Sequence, residues 1–239
     1  MKTYILSPHI DDAAFGLTCT ISKLISNHVS VDLINCFTIT KWTGVFVSKD
    51  IEVVSALRKQ EDAAFNQYLG SAIKVTNLEL LDAPLRNNYI HQFHPFNENE
   101  LELIEQLKNH LLQQVDGLLF CPLALGNHID HVLCLEAVIQ VYPKIKVVFF
   151  EDLPYANRIT LDEIKFHVDN LAKRLDAKLN SFISDLDQYT IDKNQAIHLY
   201  KSQVDEEICA EIIAHQNALN GERLWGEADN INLLKSLLN

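Results

Sequence analysis

The chain alternates between short apolar runs and longer stretches with apolar residues at helical spacing. Thr3–Leu6 is short, apolar and partly β-branched, which predicts a buried strand. In Ala13–Ile25 the apolar residues recur every three or four positions, as on one face of a helix. The alternation continues and predicts an α/β fold with a mostly parallel sheet. Further strands are predicted over Val29–Phe37, Lys74–Leu81, Gly117–Leu125 and Lys146–Phe150, and further helices over Ile51–Leu69, Glu100–Gln114, Val132–Val141, Leu161–Asn170 and Gln195–Leu219.

The last third of the chain has a less regular pattern. Leu179–Leu186 fits either an extra strand or a connecting piece. Ile231–Leu238 has leucines at helical spacing, which favours a docking helix or an oligomer contact over a membrane anchor. We find no repeat and no linker rich in Pro, Gly and Ser. The sequence therefore predicts a single domain over 1–239, with 231–239 as a C-terminal docking helix.

Composition narrows the function classes. Lys+Arg 20 against Asp+Glu 32 gives a net charge of -12, which argues against nucleic acid as a partner. No apolar run approaches membrane-spanning length, and we see no secretory signal, so no membrane insertion is expected. The 5 cysteines are scattered and lack Cys-x-x-Cys spacing. Buried free thiols in a reducing cytoplasm are therefore expected.

The first candidate site is Ser7–Gly16, between the first strand and the first helix. It places His9, Asp11 and Asp12 within four residues. Open α/β sheets bind ligands at the carboxyl ends of their strands, where this segment lies. An imidazole and two carboxylates this close together favour a divalent cation. The alternative is an ordinary helix start, in which Asp12 caps backbone amides and Asp11 favours the helix dipole.

The second candidate site is Gly126–His131, which also directly follows a predicted strand. Asn127 suits the N-cap position of the next helix, so His128 and His131 would share one face of its first turn. Asp130 could then fix the tautomer of a neighbouring histidine. The alternative is a pair of surface histidines. Two such clusters at strand ends of one parallel sheet can converge.

Together the two clusters resemble the PIG-L/LmbE-like family of zinc-dependent N-acetylglucosaminyl deacetylases. The family pattern is Pro-His-Pro-Asp-Asp-Glu near the N-terminus and His-Pro-Asp-His in the second half, against Pro8–Ala13 and His128–His131 here. Ile10 replaces a proline of the family pattern, and Ala13 replaces a glutamate. The change at Ala13 leaves the implied metal ligands intact, but it bears on which subgroup of substrates the protein would accept. Outside the motifs, the likeness extends to Arg58, Glu61, Lys193, Ala196, Tyr200, Ser202 and Gln203.

The resemblance implies a Rossmann-like three-layer sandwich with its active site at the carboxyl ends of the strands. It assigns His9, Asp12 and His131 as ligands of Zn²⁺, with Fe²⁺ or another divalent ion as an alternative. It implies a hydrolase that removes an acetyl group from an N-acetylglucosamine-type sugar or glycoconjugate by attack of a zinc-bound water. The catalytic residues would be Asp11 as general base, a protonated His128 that stabilises the oxyanion, and Asp130 as an orienting group.

Three further residues are candidates for substrate contacts. Arg58 is chosen by resemblance, Asp82 because it follows a strand, and Tyr155 as a donor to an oxyanion or a sugar hydroxyl. On sequence alone, Arg58 and Glu61 would also fit a simple surface pair. Glu151, Asp152 and Tyr155 follow the fifth strand and are expected to face one pocket.

Two other functions stay open. One is a metal-dependent amidohydrolase that acts on another N-acyl compound, selected by the loops Thr38–Lys49 and Asn87–Asn99. The other is a non-catalytic sugar-binding relative, which only Ala13 supports. Besides the small-molecule substrate, a second copy of the chain is a candidate partner.

Overall fold

A computed structural model of the chain describes residues 2–45, 48–87, 89–142, 144–187 and 191–239. The predicted loops 38–49 and 87–99 contain residues 46, 47 and 88, which lie outside the described residues. The strands are β1 (Lys2–Ser7), β2 (Ser30–Asn35), β3 (Ile73–Asn77), β4 (Leu118–Pro122), β5 (Lys146–Phe150), β6 (Asn180–Asp185) and β7 (Gly221–Gly226). The helices are α1 (Asp12–Ser26), α2 (Ile51–Tyr68), α3 (Ala83–Arg86), α4 (Glu98–Gln114), α5 (Ile129–Val141), α6 (Leu161–Leu175), α7 (Lys193–Ile197), α8 (Glu206–Leu219) and α9 (Ala228–Leu238).

The seven strands form one sheet in the order β3-β2-β1-β4-β5-β7-β6. Strands β1 to β5 pair in parallel, and β7 runs antiparallel to both of its neighbours. The chain moves from β1 outward to β3 and then returns to continue on the other side of β1 with β4. The carboxyl ends of β1 and β4 thus border the crevice where such sheets bind ligands. The predicted α/β, mostly parallel fold is confirmed.

The reversal of direction at β1 also explains the layers. Parallel crossovers are right-handed, so the helices that connect strands to one side of β1 lie on the opposite face from those that connect strands to the other side. Accordingly α4 packs against α5, whereas α1 packs against α7 and α9. Strands β1, β4 and β5 are apolar and almost wholly buried, as expected for strands covered on both faces.

The last third of the chain differs most from the sequence prediction. The continuous helix predicted over 195–219 is wrong, because α7 ends at Ile197 and α8 begins at Glu206. Asp205 caps α8 by accepting a hydrogen bond from the backbone N–H of Ile208. The stretch over 179–186 forms β6, and the sequence prediction missed β7.

The C-terminal helix α9 docks on the chain's own sheet. It buries Ile231, Leu234 and Leu238 and packs against β5, β6, β7 and α1. All five cysteines are buried and free, as the sequence predicts. None of the helices in the described part of the chain combines the length and apolarity needed to cross a bilayer.

Candidate metal centre and active site

The first predicted cluster lies in the turn that leads from β1 into α1. Ser7 holds this turn, since its hydroxyl accepts a hydrogen bond from the N–H of Ala13 at 3.1 Å and donates one to the carbonyl of His9 at 2.5 Å. Asp12 begins α1, and its Oδ2 accepts a hydrogen bond from the N–H of His9 at 2.7 Å. Ala13 is fully buried. Ala13 stands where the family pattern has a glutamate, and Ser7 and Asp12 supply the side-chain hydrogen bonds of this turn.

The second cluster lies where β4 leads into α5. The predicted N-cap is wrong by one residue: His128 caps the helix, and its Nδ1 accepts a hydrogen bond from the N–H of Asp130 at 3.2 Å. Asn127 instead has a φ of 54°, in the left-handed region that asparagine tolerates. His131 is the third residue of α5 and is buried.

The two clusters meet at the crevice between β1 and β4. His9 Nδ1 lies 3.4 Å from Asp12 Oδ2 and 3.3 Å from His131 Nε2. His131 Nε2 lies 3.3 Å from Asp12 Oδ2. Ligand atoms bound tetrahedrally to zinc at about 2.0–2.1 Å lie about 3.3–3.4 Å from one another. The three predicted ligands thus form a nearly equilateral triangle of the size that a tetrahedral ion requires.

The other nitrogen of each histidine in the triangle is bound to a carboxylate. His9 Nε2 lies 3.0 Å from Asp130 Oδ2, and His131 Nδ1 lies 2.5 Å from Asp152 Oδ1. Carboxylates in these positions fix the ring orientation and hold the proton on the far nitrogen. The nitrogens that face the triangle are therefore free to act as ligands. Of the two roles open to Asp130, its position supports orientation of His9, because His128 Nδ1 is 4.0 Å away.

The charge distribution favours a cation at the triangle. Burial lowers the pKa of His9, but its hydrogen bonds to Asp12 and Asp130 outweigh burial and raise the pKa to about 10. For His131 too, the charge of Asp12 and the hydrogen bond to Asp152 outweigh burial and raise the pKa. A site that stabilises protonated imidazoles in a buried position will also stabilise a divalent ion.

Asp11 lies beside the triangle and is paired with a buried arginine. Arg58 Nη2 donates a hydrogen bond to Asp11 Oδ1 at 2.8 Å. The surface-pair interpretation of Arg58 and Glu61 is wrong, since both are buried and Glu61 accepts hydrogen bonds from the backbone and hydroxyl of Ser202. Arg58 lines the cavity, but its guanidinium is already bound to Asp11. Its first contact is therefore with Asp11 rather than with a ligand in the cavity.

The environment of His128 favours the neutral imidazole over the protonated one that the resemblance implies. Burial, followed by the charge of His9, lowers the pKa of His128 to about 2. Because its Nδ1 accepts a hydrogen bond from the backbone, the ring proton is on Nε2. His128 is therefore a neutral hydrogen-bond donor beside the triangle.

Asp82 and Tyr155 both line the same cavity as the triangle. Asp82 is buried, accepts a hydrogen bond from the hydroxyl of Thr40, and has its pKa raised by burial. Burial, with the charges of Asp12 and Asp152, raises the pKa of Tyr155 to about 12, so its hydroxyl keeps its proton. The ring of Tyr155 lies against Gly126, where an added Cβ would come within 2.4 Å of it.

The remaining strand-end residues divide between two environments. Asp152 faces His131, as expected for this side of the sheet. Glu151 faces away and binds His215, Trp225 and Arg223, so the expectation that it shares the pocket is wrong.

Sequence reasoning missed one member of the site, Arg86. It ends α3, donates a hydrogen bond to Asp130 Oδ1, and lies over the ring of Phe37 at 4.8 Å. The N–H of Ala83 donates to the other oxygen of Asp130 at 2.9 Å. The sequence does show a cationic residue at the end of a short segment after β3. However, no sequence spacing indicates that this segment contacts Asp130.

The fold and the His–Asp–His triangle define an α/β protein with a candidate metal centre at the switch point of its sheet. The sequence model of the PIG-L family, described as GlcNAc-PI de-N-acetylase, matches residues 4–142. The chain therefore belongs to the PIG-L family. A search of curated protein sequences found no match.

Solved structures with this fold include several deacetylases. The zinc-inhibited form of teicoplanin deacetylase has a TM-score of 0.68 at 18% identity, over 94% of this chain and 97% of that chain. The A40926 pseudoaglycone deacetylase has a TM-score of 0.66 at 19% identity, over 94% and 96%. The N,N'-diacetylchitobiose deacetylase from Pyrococcus horikoshii has a TM-score of 0.52 at 20% identity, over 93% and 83%. At these identities the likeness shows a shared fold. Together with family membership, it supports an enzyme that acts on N-acetyl groups.

Proposed function

We propose that the protein is a metal-dependent hydrolase that removes the acetyl group from an N-acetylglucosamine-type sugar or glycoconjugate. The observation that carries this proposal is the triangle of His9 Nδ1, Asp12 Oδ2 and His131 Nε2, with sides of 3.3–3.4 Å. These residues would hold the ion, with zinc as the first choice. Three protein ligands are typical of a catalytic site rather than a structural one. A divalent ion held there supplies Lewis acidity and lowers the pKa of a coordinated water.

In this proposal Asp11 is the general base. It takes a proton from the attacking water, whose oxygen bonds to the acetyl carbon, and it delivers a proton to the nitrogen as the C–N bond breaks. The products are an amine and acetate. Arg58 is a positioning residue, because its ion pair at 2.8 Å fixes the orientation of the Asp11 carboxylate. We therefore propose for Arg58 a positioning role in place of the substrate contact suggested by resemblance.

His128 and Tyr155 are proposed as donors to the oxyanion. The Nε2–H of neutral His128 offers one hydrogen bond, and the protonated hydroxyl of Tyr155 offers a second. Asp130 orients His9, as its 3.0 Å contact supports, and Asp82 is retained as a candidate substrate contact because it lines the cavity. The five buried free thiols support the expectation of a reducing compartment.

The test combines metal content with amine release from N-acetylglucosamine and its methyl glycoside. Protein purified without chelator is compared with protein reconstituted with Zn²⁺, Fe²⁺ or Co²⁺ at stoichiometric amounts. His131→Ala should lose the metal. Asp11→Asn should retain the metal and lose activity by about 10²–10⁴-fold, the usual contribution of a general base.

Matched controls are Asp169→Asn, at an exposed position of α6, and His198→Ala, at a half-buried position just beyond α7. Both controls should retain metal and activity. Full activity of Asp11→Asn, or stoichiometric metal in His131→Ala, would contradict the proposed roles. If the protein hydrolyses only other N-acyl compounds, the proposed metal centre would stand and the proposed sugar substrate would be wrong.

A further inference from the structure

The cavity above the triangle ends in an apolar mouth. The cavity has a volume of about 290 Å³, and its lining includes four apolar residues that are exposed or half-buried: Trp42, Ile90, Pro154 and Ile208. We call these four residues the apolar rim. Trp42 is 56% exposed and Ile90 is 40% exposed, so both offer apolar surface to a ligand that enters the cavity.

The segment that carries Trp42 is fixed by hydrogen bonds on both sides. The backbone N–H of Trp42 donates to the hydroxyl of Thr40 at 2.9 Å, and Thr40 is held by Ser55 of α2. On the other side of Trp42, the N–H of Val45 donates to the carbonyl of Ser202 at 3.1 Å. An exposed aromatic ring on a fixed backbone loses little further freedom when a ligand packs against it.

The segment that carries Ile90 is fixed in the same way. The carbonyl of Ile90 accepts a hydrogen bond from the N–H of Ile129 at 2.8 Å. The N–H of Gln92 donates to the carbonyl of Asn127 at 2.9 Å, and His91 Nδ1 lies 3.1 Å from the carbonyl of Gly126. This side of the rim is therefore joined to the segment that carries His128.

Charge near the rim disfavours an anion. Among the described residues that line the cavity, the arginines are Arg58 and Arg158, and both are paired. Arg58 binds Asp11, and Arg158 donates two hydrogen bonds to Glu211 at 2.7 and 2.9 Å. The first turn of α8, next to Ile208, contributes Glu206 and Glu207. A phosphate or carboxylate at the mouth would displace existing ion pairs and face these carboxylates.

We propose that the group linked to the sugar is uncharged and apolar, an alkyl or aryl acceptor that packs on Trp42 and Ile90. This inference rests on the proposed function for the reaction and adds the chemistry of the acceptor. Because the rim is continuous with the cavity, a sugar seated near the triangle would direct its acceptor onto the rim.

The binding test uses the metal-loaded protein and octyl β-glucoside below its micelle concentration. This glycoside has an alkyl acceptor and no acetyl group. It can therefore bind without being hydrolysed, so that binding is measured alone. The chain has two tryptophans, and Trp225 is buried and bonded to Glu151. Saturable change of fluorescence is expected from Trp42, and saturable binding measured by calorimetry should be absent in Trp42→Ala. Phe166→Ala, which removes an exposed aromatic from α6, should keep the signal.

The turnover test compares kcat/KM for octyl N-acetylglucosaminide, free N-acetylglucosamine, N,N'-diacetylchitobiose and N-acetylglucosamine 1-phosphate. The octyl compound should be the best substrate and the phosphate the poorest. Trp42→Ala should lower kcat/KM for the octyl compound about tenfold more than for the free sugar, mainly through KM.

An equal loss of kcat/KM on all four substrates in Trp42→Ala would overturn the inference while leaving deacetylation intact. A preference of the unsubstituted protein for the phosphate would do the same. Saturable octyl glucoside binding that persists in Trp42→Ala would also overturn it. Absence of turnover on every N-acetyl sugar, with Trp42-dependent binding retained, would instead overturn the proposed reaction.

Discussion

Asp62 lies behind the candidate site, and its buried position raises the pKa of its carboxyl group. Its carboxyl group is buried and accepts hydrogen bonds from Asn35 at 2.9 Å and Tyr200 at 3.2 Å. Burial raises its pKa from 3.8 to about 6. The folded protein therefore binds this proton more tightly than the unfolded chain does.

The pH dependence of stability should report this proton. The raised pKa of Asp62 stabilises the fold fully below about pH 4, and this contribution is lost as the pH rises through about 6, by at most about 3 kcal/mol. Asp62→Asn, which cannot ionise, should show a free energy of unfolding that depends less on pH across this window. Urea unfolding at pH 4.5 and 7 measures the difference, with Asp169→Asn as the exposed control. An unchanged pH dependence in Asp62→Asn would show that Asp62 is ionised in the folded state.

At the scale of single residues, the sequence indicated which residues converge on the candidate site better than it indicated which side chains bind one another. The convergence of His9, Asp12 and His131 was predictable because both clusters follow strands of one parallel sheet, and the resemblance to the family pattern singled out these three residues. The pairing of Arg58 with Asp11, and of Arg86 with Asp130, joins residues 47 and 44 positions apart. Such partners depend on tertiary packing, which a linear pattern does not contain. The neutral state of His128 likewise depends on burial.

At the scale of elements, a buried ion pair joins α1, α7 and β7. Lys193 Nζ lies 2.8 Å from Glu222 Oε1, and both side chains are almost wholly buried. Glu222 also accepts hydrogen bonds from the backbone N–H groups of Cys19 and Thr20 in α1. The buried charge also explains why the sequence pattern did not predict β7. A short segment with two adjacent charged residues is typical of a loop.

Removal of one partner should destabilise the fold strongly. Lys193→Met leaves the Glu222 carboxylate buried without its cation, and the expected loss is about 3–5 kcal/mol in the free energy of unfolding. The double substitution Lys193→Met with Glu222→Gln removes the buried charge and should recover part of this loss. Urea unfolding of the two single variants and the double variant measures the coupling. Additive losses would contradict a coupled ion pair.

At the scale of the whole molecule, we propose that the described elements unfold as one domain. Trp225 in β7 reports on the C-terminal side of the sheet, and Phe149 of β5 pairs with it across the two strands. Trp42→Phe leaves Trp225 as the only tryptophan. Its fluorescence and the far-UV circular dichroism should then follow one urea transition with the same midpoint. Separate midpoints would indicate two independently stable units.

The order in which the strands are made has a consequence for synthesis on the ribosome. Strand β5 is apolar and lies inside the finished sheet, but its neighbour β7 comes from residues 221–226, long after β5 in the sequence. Until translation reaches β7, a nascent chain that has assembled β1 to β5 exposes the Val147–Phe150 edge as an open template for pairing. Chaperone occupancy on stalled ribosomes should therefore be highest between the emergence of β5 and that of β7. The antiparallel strand that closes the sheet thus also ends the period in which the newborn protein is most prone to aggregate.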